Sequence, residues 1–169
     1  MPGTAHPDDA GAVAFVNPIV RVADDALSVL LPPELHAVIG RCAEVVRACA
    51  VSPGSAAHGR LFSPIDESAD QQDPLLTFER QWRMDGVSEI VLASYGKSRL
   101  SVEEAEAWMA VLGMATAMEA SELGINEDAD LEGRSEGELS GLRLFQTLRE
   151  CLIEALVSDP VDLDADGLM

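Results

Sequence analysis

Apolar residues recur at helical spacing in four long stretches of this chain. The repeats follow the i, i+3, i+4, i+7 spacing of helices with one buried face, and they cover approximately residues 34–50, 74–94, 102–123 and 136–158. Helices that are each apolar along a wide stripe can bury those stripes only against one another. The pattern therefore predicts a mainly α fold, a helical bundle of about four main helices.

The third predicted helix is the most apolar, and its ends are the best defined. Ser101 and Glu104 have the spacing of a capping box, and Gly124 suits the position just after a helix end. Residues 107–118 include no charged side chain. We therefore expect this helix to be covered on most of its sides.

The second predicted helix combines an apolar face with a glycine near its middle. Asp73 followed by Pro74 suits a helix start, and Gly86 predicts a kink. We expect the buried face to consist of Leu75, Phe78, Trp82, Val87, Ile90 and Val91.

Two short aliphatic runs precede the helices. Residues 19–22 and 27–31 are rich in β-branched and aliphatic side chains, and the four residues between them are Ala-Asp-Asp-Ala. This arrangement predicts a short N-terminal β-hairpin at the edge of the bundle.

The remaining segments predict one domain with a flexible segment at each end. We expect a flexible leader over 1–14, a single mostly helical domain over 15–160 and a flexible acidic tail over 161–169. Residues 51–72 are rich in Pro, Gly, Ser, Asp and Gln, which predicts a long loop anchored by Phe62.

Charge narrows the classes of partner. The chain of 169 residues has 30 acidic and 11 basic side chains, a net charge of −19, and such a field repels phosphate backbones. Direct DNA binding is therefore doubtful, and we expect a protein partner. The candidate basic contact patch consists of Arg80, Arg83, Lys97 and Arg99. The alternative interpretation is a solvated face with local ion pairs to Glu79, Asp85 and Glu89.

The chemistry-bearing residues do not assemble into a recognisable catalytic or metal motif. The acidic stretch from Asp128 resembles a calcium loop but has Leu139 at its twelfth position, and the stretch from Asp162 stops at Met169. The three histidines are far apart in sequence, and no phosphate-binding or nucleophile motif is present. We predict no metal, no cofactor and no enzymatic activity.

The three cysteines are the remaining reactive groups. Cys42 and Cys49 lie about 10 Å apart along one predicted helix, which is too far for a disulfide, whereas Cys151 could meet either one if the first and last helices pack face to face. Both interpretations remain open: inert core thiols, or candidate redox residues Cys42, Cys49 and Cys151.

No apolar run is long enough to span a membrane and no signal peptide is recognisable, so we expect a cytoplasmic protein with reduced thiols.

Several motifs, taken in order, resemble the AosR-like family of actinobacterial proteins. The most specific is Glu-Ala-Glu-Ala-Trp-Met at 104–109 with its Leu-Gly-Ile exit at 123–125. The others are Arg60-Leu61-Phe62, Asp73-Pro74, Phe78-Glu79-Arg80, and Phe145-Gln146 with Leu148 and Leu152. The chain departs from the family pattern at Gly113, Met114 and Thr116, where small or apolar residues replace polar ones.

The resemblance implies a regulator of transcription under oxidative stress that works through a thiol switch. On this hypothesis a disulfide between Cys151 and a cysteine of the first helix changes the surface offered to a protein partner, such as a sigma factor or another transcription component. The alternative is an adaptor or scaffold linked to proteolysis or to sulfur-carrier and cysteine metabolism, with inert core cysteines. The oligomeric state is left open.

Overall fold

The computed structural model describes residues 16–52, 54–61 and 74–161 of the chain. The predicted leader over 1–14, the part of the 51–72 loop that includes Phe62, and nearly all of the predicted tail lie outside the described residues.

A mainly helical fold with a short N-terminal β-hairpin is confirmed. The elements in chain order are β1 (Ile19–Ala23), β2 (Ala26–Val29), α1 (Pro33–Ala50), α2 (Ala56–Leu61), α3 (Pro74–Ser94), β3 (Arg99–Ser101), α4 (Val102–Glu122) and α5 (Glu136–Val157). A single 3-10 turn, Asp128–Leu131, lies between α4 and α5.

Helix α4 begins and ends where local hydrogen bonding predicts. Ser101 Oγ accepts the Glu104 backbone N–H at 3.1 Å, and the Glu104 carboxylate accepts the Ser101 N–H at 2.9 Å, which completes the capping box. At the other end Gly124 has a φ of 68°, and the N–H of Ile125 donates to the carbonyl of Ala120 at 2.8 Å. These bonds satisfy terminal groups that a helix cannot pair internally.

The sheet has one strand more than the sequence pattern predicts. Strands β1 and β2 form the expected hairpin, and β3 adds to β2 in antiparallel register, with Leu100 opposite Leu27. Both of these leucines are fully buried. Strand β3 has three residues and leads directly into α4, so it is too short to show an alternating pattern of its own.

Part of the predicted 51–72 loop is helical. The six-residue helix α2 packs on α4 and ends at Leu61. Helices this short show no hydrophobic period, because they contain fewer than two turns. The prediction of an irregular segment was therefore wrong over 56–61.

Helix α4 is the centre of the bundle, as its uncharged sequence predicts. Helices α1, α2, α3 and α5 all pack against it. Trp108 lies fully buried near its start, and the indole N–H donates to Ser94 Oγ at 2.8 Å, while the same hydroxyl donates to the Ile90 carbonyl at 2.7 Å. The large ring thus buries its apolar area without leaving its polar atom unpaired.

The expected buried face of α3 needs correction. The sequence pattern places Phe78 and Trp82 on this face, but both side chains are exposed, because α1 and α4 cover other faces of the helix. Helix α3 continues through Gly86 without a break, and the kink at Gly86 stays a prediction. Glycine in a helix interior costs about 1 kcal/mol relative to alanine.

Replacing Ser94 with alanine is expected to lower the free energy of unfolding by about 1–3 kcal/mol, because the buried Trp108 N–H then loses its acceptor. Urea unfolding followed by circular dichroism measures this change. The matched control is Ser140→Ala at an exposed position of α5, which should shift stability by less than about 0.5 kcal/mol. Equal losses in the two variants would contradict a special role for the Trp108–Ser94 pair.

Candidate functional site

The structure does not bring the four residues of the candidate basic patch together. Arg80 and Arg83 lie in the first half of α3, whereas Lys97 and Arg99 follow its end. The helix rises about 1.5 Å per residue, so roughly 16 Å separate Arg83 from the end of α3. Lys97 Nζ is 2.6 Å from the Glu104 carboxylate, and this hydrogen bond is the largest cause of the lowered pKa of Glu104.

Two of the three acids expected to pair with that patch contact a different arginine. Arg47 of α1 places Nε 2.6 Å from Asp85 and Nη2 3.3 Å from Glu89. These ion pairs join α1 to α3 at the surface. The alternative interpretation predicted ion pairs between the patch and these acids, but Asp85 and Glu89 pair with Arg47 instead, and Lys97 pairs with Glu104.

The acidic turn after α4 is built from hydrogen bonds of its own. Asp130 accepts the backbone N–H groups of Asn126 and Glu127 at 2.7 and 3.1 Å, and these two bonds are the main causes of its lowered pKa.

Among the residues that the structure describes, no cluster of three or more His, Cys, Asp or Glu side chains could hold a metal ion. Over the same residues, no helix has both the length and the apolar character needed to cross a membrane.

The three candidate redox cysteines are free, buried thiols. Cys42 and Cys49 lie on α1 and Cys151 lies on α5. Burial is the largest cause of a raised pKa in each of them, and it raises the pKa of Cys42 to about 11. A thiol with such a pKa stays protonated at neutral pH, and only the thiolate attacks oxidants or disulfides efficiently.

The helices that hold the cysteines do not pack face to face. Helix α1 packs on α2, α3 and α4, and α5 packs on α4 and β1, so α1 and α5 have at most marginal contact. The Cys151 carbonyl accepts the side-chain N–H of Asn17 at 3.0 Å, next to β1. The condition under which Cys151 could meet a cysteine of α1 is therefore not met.

A groove lies where α1, α4 and α5 converge, and we call it the α1–α4–α5 groove. Its volume is about 470 Å³. Six apolar side chains form most of its wall: Val38, Val45, Ala115, Met118, Leu144 and Phe145. The rest of the lining consists of Glu119 and Glu122 from the end of α4, Gly141 from α5, and Arg41 and the thiol of Cys42 from α1.

Gly141 leaves space for an acidic side chain at one side of the groove. A Cβ atom at this position of α5 would lie 3.0 Å from Glu119 Oε1, so the absence of a side chain leaves room for that carboxylate. Two glutamates in the last turns of α4 add to the negative end of the helix dipole. The groove therefore combines an apolar wall with negative charge.

A second groove, the α1–α3 groove, lies on another side of α1. Its volume is about 760 Å³, and Val51, Phe78, Trp82 and Asp85 are among its lining residues. Neither groove was predicted from the sequence. Hydrophobic period shows that a residue lies on an apolar stripe, but it does not show which part of the stripe the neighbouring helices leave uncovered.

Comparisons of this chain with protein-family models, with curated proteins and with solved structures find no match. The resemblance to the AosR-like family therefore stays a prediction.

All three cysteines are expected to stay reduced when the folded protein is treated with mild peroxide. Labelling of Cys42 by iodoacetamide should accelerate about tenfold per pH unit up to about pH 11, because the thiolate fraction grows at that rate below the pKa. Peptide-mapping mass spectrometry measures both results, and the protein unfolded in urea is the control for full reactivity. A disulfide from Cys151 to Cys42 or Cys49 would contradict this expectation.

Proposed function

We propose that this chain is a cytoplasmic, non-enzymatic protein-binding module whose α1–α4–α5 groove takes a basic amphipathic helix from a protein partner. The observation that carries the proposal is the combination of an apolar wall with Glu119 and Glu122 at one side. Helix-in-groove recognition uses apolar anchors for affinity and flanking charges for orientation. A partner with leucine or phenylalanine anchors and flanking lysines or arginines fits both features.

The dimensions of the groove suit a short helix. On α1 the lining runs from Val38 to Val45, and on α4 it runs from Ala115 to Glu122. Seven residue steps correspond to about 10 Å of helix, or about two turns. Two turns present anchors at positions i, i+4 and i+7 of a bound helix.

Charge supports the same class of partner. The net charge of −19 attracts basic segments over distances up to about the Debye length, roughly 8–10 Å at physiological salt, and it repels nucleic acids. Among the described residues that line the groove, Arg41 is the one basic side chain. It favours an acidic or polar residue at one position of the partner, which fixes the direction of binding.

The cysteines support a module that works without a thiol switch. Cys42 contributes to the groove, but its pKa of about 11 and its burial disfavour reaction with oxidants at neutral pH. The adaptor version of the hypothesis is therefore favoured over the redox-regulator version. If the family resemblance holds, the partner is a transcription component, or a protein of proteolysis or sulfur transfer.

The test uses a fluorescein-labelled amphipathic helix of leucine and lysine, about 15 residues long so that it is helical when bound. Fluorescence anisotropy at increasing protein concentration gives the Kd. The double variant Glu119→Gln and Glu122→Gln should weaken binding roughly 3- to 10-fold, since an exposed ion pair contributes about 0.2–1 kcal/mol. Phe145→Ser should weaken it further by removing an apolar wall residue.

The matched control is the double variant Glu103→Gln and Glu106→Gln, which makes the same charge change at exposed positions near the start of α4. This control should leave the Kd within about twofold of the wild-type value. An equal rise of the Kd in the two double variants would mean that the peptide responds only to the net charge of the protein. The groove proposal would then be abandoned.

A further inference from the structure

The two glutamates of the α1–α4–α5 groove differ in their surroundings. Glu119 is half-buried, whereas Glu122, about one turn further along α4, is exposed. Glu119 forms no salt bridge with any residue in the described part of the chain. A half-buried carboxylate has already lost part of its hydration, so it gains more from a nearby cation than an exposed carboxylate does. The two acids are therefore not equivalent as contacts for a basic partner.

Gly141 of α5 leaves space for the Glu119 carboxylate at one precise place. A Cβ atom at this position would be 3.0 Å from Glu119 Oε1 and 3.5 Å from the carboxyl carbon. At Gly137, about one turn earlier in α5, the nearest atom to such a Cβ is Ser135 Oγ at 4.0 Å. Glycine weakens a helix relative to alanine. The close approach of Glu119 is a structural reason for glycine at position 141, and Gly137 has no such neighbour.

Arg41 is the competitor for this carboxylate within the chain. Helices α1 and α5 both pack on α4 but have at most marginal contact with each other, so they form opposite walls of the groove. Burial is the largest cause of the raised pKa of Cys42, but Arg41 lowers this pKa and Glu119 raises it, so both charges lie near the thiol. No salt bridge joins Arg41 to Glu119. A side chain at position 141 would push the carboxylate away from α5 and towards α1.

We propose that Gly141 sets the selectivity of the α1–α4–α5 groove by giving the Glu119 carboxylate a place against α5, where it receives the cationic group of one lysine or arginine of the partner helix. This inference rests on the proposed function. The methylene stem of the basic side chain packs on the apolar wall while its charge reaches Glu119. With alanine at position 141, Glu119 turns towards Arg41, and an ion pair within the chain replaces the one with the partner.

Single substitutions separate the contributions of the two glutamates. With the labelled leucine–lysine helix, Glu119→Gln should raise the Kd roughly 3- to 10-fold, which is the whole effect expected of the double variant. Glu122→Gln makes the same charge change at an exposed position of the same groove. It should leave the Kd within about twofold of the wild-type value.

Gly141→Ala tests the positioning role directly. It should raise the Kd of the leucine–lysine helix at least about threefold, but leave the Kd of a neutral leucine–glutamine helix within about twofold. The melting temperature should not fall, since alanine favours a helix, and this measurement excludes unfolding as the cause. Gly137→Ala is the matched control in the same helix and should leave both Kd values unchanged. In a Glu119→Gln background, Gly141→Ala should no longer alter the ratio of the two Kd values, because the displaced charge is absent.

Alkylation of Cys42 reports the position of Glu119 without any peptide. At a fixed pH, Gly141→Ala should slow the reaction of Cys42 with iodoacetamide about two- to threefold, because a carboxylate nearer to α1 disfavours the thiolate. This difference should vanish in the Glu119→Gln background. A slower opening of a more stable helix would persist there, so the comparison separates the two causes.

The outcomes distinguish this inference from the proposed function. A ratio of the two Kd values that Gly141→Ala does not change, or equal effects of Glu119→Gln and Glu122→Gln, would overturn the inference and leave the groove as the binding site. Slower alkylation of Cys42 that persists with glutamine at position 119 would also overturn it. A wild-type protein that does not bind the leucine–lysine helix would overturn both.

Discussion

The packing of four helices against α4 is the constraint on which the rest of this structure depends. Residues 107–118 of α4 include no charged side chain, so this stretch needs cover from other elements; four helices pack on α4 and the sheet leads into it. Trp108 is the largest fully buried side chain, and its hydrogen bond to Ser94 ties α3 to the centre at one defined position. The inner faces of the other helices pack against α4, so the side chains on their outer faces are free to vary.

This arrangement buries the three thiols, including that of Cys42 in the wall of the α1–α4–α5 groove. The cysteines lie on the buried stripes of α1 and α5, where the low polarity that stabilises the core also raises the pKa of each thiol. The features that differ from an ordinary solvated surface lie outward: the acidic groove beside Glu119, and the aromatic face at Trp82.

The sequence predicted the features that depend on residues close together in the chain. It did not predict the features that depend on packing between separate elements. The ends of α4 follow from Ser101 and Gly124, because their hydrogen bonds involve residues close in sequence. Strand β3 and helix α2 are too short to produce a period, and they form because the surrounding elements hold them in place. The exposure of Trp82 could not be read from the chain either, since a stripe that continues along α3 does not reveal where its neighbours stop covering it. The groove depends on three helices at once, which no single stretch of sequence encodes.

Hydrogen exchange of the full chain, with and without the basic amphipathic peptide, tests most directly the claim that partner contact is confined to one groove of a rigid bundle. The account predicts that amides in the middle of α4 exchange only through global unfolding, and that the peptide slows exchange only in segments that line the groove, 38–45, 115–122 and 141–145. Protection spread over the whole acidic surface, or protection centred on the α3 face, would contradict it.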